Sequence, residues 1–305
     1  MRMNKKIISM AVAAALVAPV VAQAADLSFK GDARFRTYHN DANGTASTKH
    51  DNRVRFVVTA TDGDNMATAR LTMDGADNAA ATASTDYAYV GTKIGPVSLK
   101  LGDQRAYFGT NYLVNNAAKP NRVTAMMKAG PATIVIADDV SPNATPVDNA
   151  RVSTGVIMAK VADFNVSVLS NETTTMIAAI GKAGPVKLAI ESTDLNGVAG
   201  TYINVGMEVA GMDMGLTSVA MDAGLTTASL YSPVAALGTS NNGIRNANEL
   251  TLLTVKKGNI SFGAGTVDAA GDSLLDVGYK MGNTTFSYSS IDTTTRIAMQ
   301  YNMKF

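Results

Sequence analysis

The sequence of 305 residues has no cysteine and no tryptophan, and its only two histidines are His39 and His50. The absence of cysteine excludes disulfide scaffolds, thiolate zinc sites, iron–sulfur clusters and cysteine nucleophiles. Charged residues make up only 17% of the chain, and a net charge of +1 does not favour a nucleic-acid-binding surface. We therefore expect no cofactor and no nucleic-acid partner, and these absences argue against catalysis.

The first 24 residues have the pattern of a secretory signal. Arg2, Lys5 and Lys6 precede an apolar run over residues 7–18, and the small residues of Ala22-Gln23-Ala24 follow. A positive start, a short apolar stretch and an A-x-A end are typical of a cleaved signal peptide. The apolar run is too short to span a membrane comfortably as an anchor. We expect residues 1–24 to be a signal peptide and residues 25–305 to form one domain.

No apolar run after residue 24 approaches the ~20 residues of a transmembrane helix. Several segments instead alternate between apolar and polar residues. In residues 296–305 every odd position is apolar or aromatic, and residues 27–36, 53–61 and 67–74 show a similar alternation. A period of two places the two sets on opposite faces of a β-strand.

The spacing of turns distinguishes a membrane barrel from a soluble sandwich. Longer polar stretches occupy residues 39–51, 103–121, 139–149 and 222–248. Eight short turn signals separate the other strands: Asp62-Gly63-Asp64-Asn65, Gly95-Pro96, Gly130-Pro131, Ala162-Asp163, Gly184-Pro185, Gly211-Met212, Gly258-Asn259 and Met281-Gly282-Asn283. Short turns alternating with longer loops are typical of outer-membrane barrels, in which closure leaves no strand edge in lipid. This layout predicts an all-β, transmembrane antiparallel β-barrel of 16–18 strands with short periplasmic turns and longer external loops.

The polar faces of the predicted strands are rich in basic residues. The predicted inward-facing set is Lys30, Arg34, Arg36, Arg53, Arg55, Arg70, Lys100 and Arg122, with Lys128 on the same face. A hairpin turning near residue 45 would place Arg36 opposite Arg53 and Arg34 opposite Arg55. Like charges directly opposed destabilise a sheet, so the presence of arginines opposite each other requires an explanation. One interpretation is a cationic wall that tunes permeation; the other is solvated lumen side chains that pair locally with Asp32 and Asp74.

The two histidines permit a second interpretation of the barrel rim. His39 and His50 flank the first predicted external loop with Asp41 and Asp51. A metal site or a histidine-based hydrolase would use such residues, but no nucleophile or ligand constellation accompanies them. Solvated loop residues are the favoured interpretation, and we predict neither catalytic nor metal-binding residues. Asn43-Gly44-Thr45 has turn chemistry.

Several stretches resemble Gram-negative general diffusion porins. They are the first strand, Leu27-Ser28-Phe29-Lys30-Gly31-Asp32-Ala33-Arg34-Phe35, and the runs Ala88-Tyr89-Val90-Gly91-Thr92-Lys93 and Leu99-Lys100-Leu101-Gly102-Asp103-Gln104, the last followed by Tyr107-Phe108-Gly109. The resemblance implies a sixteen-stranded, trimeric barrel that passes small hydrophilic solutes. It also implies that the third external loop folds inward and narrows the pore. That loop would contain Asp103, Arg105, Tyr107, Phe108, Tyr112 and Lys119.

The resemblance also suggests partners. Tyr301, Met303 and Phe305 look like the C-terminal signal read by the barrel-assembly machinery, and outer-membrane lipid and lipopolysaccharide would surround the barrel. Asp103 is the only acid in residues 103–121, so the field across the pore should be weak or one-signed. Tyr107, Phe108 and Tyr112 would either shape the constriction or pack the loop against the wall.

Together these features predict a porin of the Gram-negative outer membrane. It would form a water-filled channel for passive diffusion of ions and small hydrophilic solutes, with a mild anion preference. Two alternatives stay open: a surface structural or adhesive protein anchored by its barrel, and a hydrolase with a site at the barrel rim.

Overall fold

A computed structural model describes residues 26–76, 81–104, 121–139, 153–195, 197–222, 249–267 and 272–305. These ranges form eighteen β-strands. The first nine are β1 (Asp26–Ala42), β2 (Thr45–Asp62), β3 (Asn65–Ala76), β4 (Thr82–Ile94), β5 (Val97–Asp103), β6 (Asn121–Ala129), β7 (Ala132–Asp139), β8 (Ser153–Val161) and β9 (Phe164–Ser170). The rest are β10 (Thr174–Ala183), β11 (Val186–Leu195), β12 (Val198–Val209), β13 (Met212–Met221), β14 (Glu249–Lys257), β15 (Ile260–Val267), β16 (Asp272–Met281), β17 (Thr284–Ile291) and β18 (Thr294–Lys304). Within the described ranges, no helix is long and apolar enough to cross a membrane.

The strands form one closed sheet. Each strand pairs antiparallel with its neighbours in sequence, and β1 pairs with both β2 and β18. Closure gives every strand two partners, so no edge with unpaired backbone groups is left. The predicted all-β antiparallel barrel is confirmed. The strand number is eighteen, the upper end of the predicted range of 16–18, and not the sixteen that the porin resemblance implied.

Eight two-residue turns join strands in pairs at one end of the barrel, which we call the turn end. Six of them begin with a glycine of positive φ, and the other two begin with Ala162 and Ala210. Two-residue hairpin turns need positive φ at their first central position, which glycine adopts without steric cost. All eight predicted turns are present, with the sixth, predicted at Gly211-Met212, shifted by one residue to Ala210-Gly211.

The opposite end, called the loop end, differs from the prediction at its first connection. The polar stretch 39–51 is not a loop, because β1 continues to Ala42 and β2 begins at Thr45. Asn43 and Gly44 form the turn, with φ of 51° and 77°. Positive φ at both central residues matches a type I′ hairpin turn, for which Asn-Gly is a strongly preferred sequence. Most of the other predicted long loops, 103–121, 139–149 and 222–248, lies outside the described residues.

The two faces of the barrel wall differ in chemistry. Large apolar side chains on the outer face are well exposed, among them Phe29, Ile136, Ile177 and Ile297. Strand alternation predicts a polar inner face, but part of the inner face is apolar. On β7–β10 it carries a buried cluster of Val135, Val156, Leu169 and Met176. On β11–β16 it carries a second cluster: Ala189, Tyr202, Val219, Met221, Leu250, Leu252, Val267 and Leu274. Buried acids accompany these clusters, Glu191 on β11 and Asp276 on β16, but every described arginine except Arg296 lies on β1–β6.

Candidate functional site: the basic wall on β1–β6

The register of β1 and β2 determines which charges meet on the inner face. Arg34 lies directly opposite Arg53, Arg36 opposite Asp51, and Asp32 opposite Arg55. The predicted pairings of Arg36 with Arg53 and of Arg34 with Arg55 are therefore wrong. Because the turn lies at Asn43-Gly44 and not near residue 45, each residue of β1 pairs with a β2 residue two positions earlier than predicted. This register leaves one opposed arginine pair instead of two.

Two carboxylates hold the four arginines of this hairpin. Asp51 accepts hydrogen bonds from Arg34 Nη2 at 3.0 Å and from Arg36 Nε and Nη2 at 2.8 and 2.5 Å. Asp32 accepts Arg55 Nε at 2.9–3.0 Å, and Arg53 Nη2 lies 3.9 Å from it. The four arginine side chains keep 19–24% of their surface exposed. Local pairing with Asp32, one of the two interpretations, is thus present, and Asp74 lies opposite Arg53 in register.

Arg70 on β3 is positioned by an irregularity in β4. Arg70 pairs in register with Tyr87 and Leu71 with Thr85, so Asp86 is the extra residue of a β-bulge. The bulge lets Asp86 form an ion pair with Arg70 while the Tyr87 ring lies under the guanidinium, 4.6 Å from ring centroid to Cζ. Bulges commonly re-aim a side chain near functional sites. Here the bulge brings an acid and an aromatic ring to one arginine.

Lys100 and Arg122 continue the wall on β5 and β6. The Lys100 ammonium lies 5.2 Å from the centroid of Tyr89, whose ring is 6.0 Å from that of Tyr87. Arg122 is 7% exposed and donates from both Nε and Nη2 to Asp139 on β7, with Nη2 at 2.9 Å. Gln104 beside it is buried and donates to the Arg122 carbonyl oxygen at 2.8 Å. A mixed cationic and aromatic surface therefore runs from β1 to β6.

Other predicted residues lie away from this surface or outside the described part of the chain. Lys30 is exposed near the turn end, opposite Val57. Asp103 is the last residue of β5, exposed and on the same face as Leu99 and Leu101, whereas Gln104 lies on the inner face. The constriction-loop candidates Arg105, Tyr107, Phe108, Tyr112 and Lys119 lie outside the described residues.

The C-terminal residues lie on the outer face of β18, next to the seam with β1. Tyr301, Met303 and Phe305 are all well exposed there. Phe305 exchanges two backbone hydrogen bonds with Gly31, and its ring lies 5.6 Å from that of Phe56. The three side chains thus form one apolar stripe where the first and last strands meet.

The histidines do not form a rim site. His50 bonds Thr37 Oγ1 at 2.8 Å, and His39 bonds Thr48 Oγ1 at 2.9 Å, both on the outer face of the β1–β2 hairpin. Asp51 points to the inner face, toward Arg34 and Arg36. In the described ranges, no group of three or more histidine or acidic residues could hold a metal ion.

Three acidic residues form ion pairs with arginines of the basic wall, but the sequence patterns do not assign them to it. Asp51 has an odd number like Arg53 and Arg55 and therefore lies on the same face of β2. A correct turn position would have placed it opposite Arg36. Asp139 follows from pairing β6 with β7, because it lies opposite Arg122. Asp86 has no such signal, because the bulge interrupts the alternation of β4.

Comparison with known proteins adds evidence on the fold. No family model matches the chain, and no curated protein matches it. Among solved structures, Pseudomonas aeruginosa OccK9 (OpdG) superposes with a TM-score of 0.59 at 10% identity, over 92% of this chain and 99% of that one. P. aeruginosa OpdK with vanillate gives 0.55 at 10% identity, over 91% and 99%. A mutant of the Rh. blastica porin gives 0.50 at 14% identity, over 91% and 100%. The chain thus shares the barrel fold of these proteins along nearly its whole length.

Proposed function

We propose that this protein is a porin of the Gram-negative outer membrane that passes ions and small hydrophilic solutes by passive diffusion. The observation that supports this most strongly is the row of inward-facing guanidinium and ammonium groups on β1–β6 inside a closed barrel with an apolar outer face. Charged groups on an inner wall need water, and lumen side chains tune the selectivity of such barrels.

The outer face matches this location. Exposed residues such as Phe262, Tyr279, Phe286 and Tyr301 are costly in water but suit lipid and its interface. We propose that residues 1–24 are a cleaved signal peptide and that residues 25–305 are the barrel domain. The same proposal places the turn end in the periplasm and the loop end outside the cell, in contact with lipopolysaccharide.

The assembly proposals rest on the C-terminal stripe and the fold. We propose that Tyr301, Met303 and Phe305 are read by the barrel-assembly machinery during insertion, and that the mature protein is a homotrimer. The similarity in fold to the Rh. blastica porin is compatible with a porin assembly. The protein is proposed to act as a channel, without cofactor or catalytic residues.

We propose a mild anion preference, because Arg34, Arg36, Arg53, Arg55, Arg70, Lys100 and Arg122 line one wall, and the predicted Lys30 adds a cation nearer the turn end. Five acids on the same strands and β7 offset part of this charge: Asp32, Asp51, Asp74, Asp86 and Asp139. Ion pairing lowers the free positive charge without cancelling it, so chloride should pass more readily than potassium, but not exclusively.

Insertion of the purified protein into a planar lipid bilayer tests the function. A porin gives steady, reproducible open steps in single-channel recordings, whereas a barrel that only anchors an adhesive surface gives none. Parallel assays on lipid and peptide substrates would reveal a rim hydrolase. Unheated samples on a detergent gel should migrate anomalously, which shows that the tested protein is a folded barrel. A folded sample without conductance would overturn the proposal.

A further inference from the structure

The first hairpin has a strand edge that no neighbouring strand covers in the described part of the chain. β2 begins at Thr45, but its pairing with β3 begins only at Asp51, opposite Ala76. Residues 45–50 therefore have β1 on one side and no described strand on the other. The opposite edge of the hairpin is covered, because β1 pairs with β18 as far as its last residue, Ala42.

The connection between β3 and β4 is too short to cover this open edge. β3 ends at Ala76 and β4 begins at Thr82. Only residues 77–81 lie between them, too few to follow residues 45–50 along their whole length and return. Residues 45–50, which we call the β2 edge, are all exposed.

The register determines which backbone groups point out of the β2 edge. Gly31 of β1 exchanges both of its backbone hydrogen bonds with Phe305, which follows β18. The bonding side alternates along a strand, so odd-numbered residues of β1 bond toward β18 and even-numbered residues bond toward β2. These even-numbered residues pair with odd-numbered residues of β2. The N–H and C=O groups of Ala46, Thr48 and His50 therefore point away from β1, toward the open side.

This row of backbone groups matches the backbone of another extended chain. Its donors and acceptors repeat every second residue, about 7 Å apart, as they do in any β-strand. Natural edges are usually protected by proline, bulges, charged residues or a covering element. The β2 edge has no proline, its register with β1 has no bulge, and Lys49 is its only Lys, Arg, Asp or Glu. A lysine disfavours a basic residue directly opposite it and favours an acidic one.

We propose that the β2 edge binds an extended, antiparallel polypeptide strand that carries an acidic residue opposite Lys49. The strand would extend the sheet by β-augmentation, in which backbone hydrogen bonds supply affinity and side chains supply selectivity. The edge belongs to the loop end, so the orientation proposed above makes the partner an extracellular protein. The binding does not depend on conduction, and its failure would leave the channel proposal unaffected.

The probe is a synthetic, fluorescently labelled peptide of alternating threonine and valine with a central glutamate. Fluorescence anisotropy with the detergent-solubilised, folded protein should show saturable binding, and hydrogen–deuterium exchange of residues 45–50 should slow when the peptide binds. In an antiparallel pair, the two residues beside the glutamate direct their amides at the β2 edge. N-methylation of these two amides should abolish binding, and lysine in place of the glutamate should weaken it about tenfold.

Two substitutions of Thr48 separate its backbone from its side chain. Thr48→Pro and Thr48→Val both lose the hydroxyl that bonds His39, but only proline removes the N–H that points out of the edge. That N–H does not bond β1, so the ladder of the hairpin is kept with proline at this position. Thr48→Pro should bind the glutamate peptide at least about tenfold more weakly, whereas Thr48→Val should bind it like the wild type.

A charge reversal tests the selectivity of the edge. Lys49→Glu should bind the lysine peptide more tightly than the glutamate peptide, the reverse of the wild type. An unchanged preference for the glutamate peptide in this variant would overturn the assignment of the acidic residue to the position opposite Lys49.

The outcomes are read once each variant shows the anomalous gel migration of a folded barrel. Loss of binding in Thr48→Pro but not in Thr48→Val supports the site. No saturable binding by the wild type, equal binding by the two Thr48 variants, or binding that survives N-methylation overturns it. The N-methylated peptide gives this test on the wild type even where Thr48→Pro does not fold.

Two further outcomes would assign the edge to another occupant. Slow exchange of residues 45–50 before any peptide is added overturns the proposal, because another part of the chain would then cover the edge. A dimer that forms without peptide and is lost in Thr48→Pro overturns the acidic partner in favour of a second copy of this chain.

Discussion

Phe305 is held against Gly31 across the seam that closes the barrel. The Gly31 amide donates to the Phe305 carbonyl oxygen at 2.7 Å, and the Phe305 amide donates to the Gly31 carbonyl oxygen at 3.1 Å. The ring of Phe305 covers Gly31 so closely that a Cβ at this position would collide with it. Because Gly31 has no side chain, the Phe305 ring can occupy the space that a Cβ at this position would fill.

Gly31→Ala should impair closure of the barrel. The added methyl must displace the Phe305 ring, which is 55% exposed and can rotate aside, so the cost should lie below the ~1–3 kcal/mol of overpacking in a closed core. We expect a smaller heat-modifiable fraction on unheated gels and a lower unfolding temperature. Gly155→Ala is the matched control, because a Cβ there would meet only one atom, the Ser170 carbonyl oxygen at 3.9 Å. Equal stability of the two variants would argue against a steric role for Gly31.

Labelling of single cysteines tests the assignment of the two faces, since the chain has no native cysteine. Phe56 lies on the outer face and its neighbour Val57 on the inner face, opposite Lys30 and Arg70. In liposomes, a charged thiol reagent should modify Val57→Cys rapidly and Phe56→Cys slowly, because lipid covers the outer face. Both variants should react when unfolded in denaturant. Faster labelling of Phe56→Cys would reverse the assignment.

Asp51→Asn tests the acid that Arg34 and Arg36 share. Removing its charge leaves two partly buried guanidiniums without their carboxylate, so the anion preference should rise and the unfolding temperature should fall. Asp64→Asn is the matched control at the turn end, where the ion pair with Lys93 is about two-thirds exposed on both sides. Exposed pairs of this kind contribute roughly 0–1 kcal/mol. A shift of the reversal potential toward potassium in Asp51→Asn would contradict this role.

Strand alternation and turn chemistry predict most of the barrel because both are local signals. The run ending at Phe305 and the six glycine-led turns depend on a period of two and on positive φ, and both can be recognised along the chain. The first hairpin shows the limit. Its polar residues 39–51 resemble a loop, yet Asn43-Gly44 makes a two-residue turn, and the paired strands continue to Ala42 and from Thr45.

The site depends on register, which composition does not specify. A shift of two residues in one hairpin changes the partners of Arg34, Arg36, Arg53 and Arg55, although their inward orientation is unaffected. The bulge at Asp86 and the apolar clusters on β7–β16 likewise require the paired strands. Alternation predicts which face a residue occupies, whereas the contacts on that face come from the closed sheet.

The reversal potential of the wild-type protein in a KCl gradient tests the central claim most directly. The claim is that the barrel is an open channel whose permeation is governed by the basic wall on β1–β6. Single insertions should give steady open steps, and the zero-current potential should shift moderately toward the chloride equilibrium potential. A folded barrel that gives no open steps, or a shift toward the potassium equilibrium potential, would contradict the account.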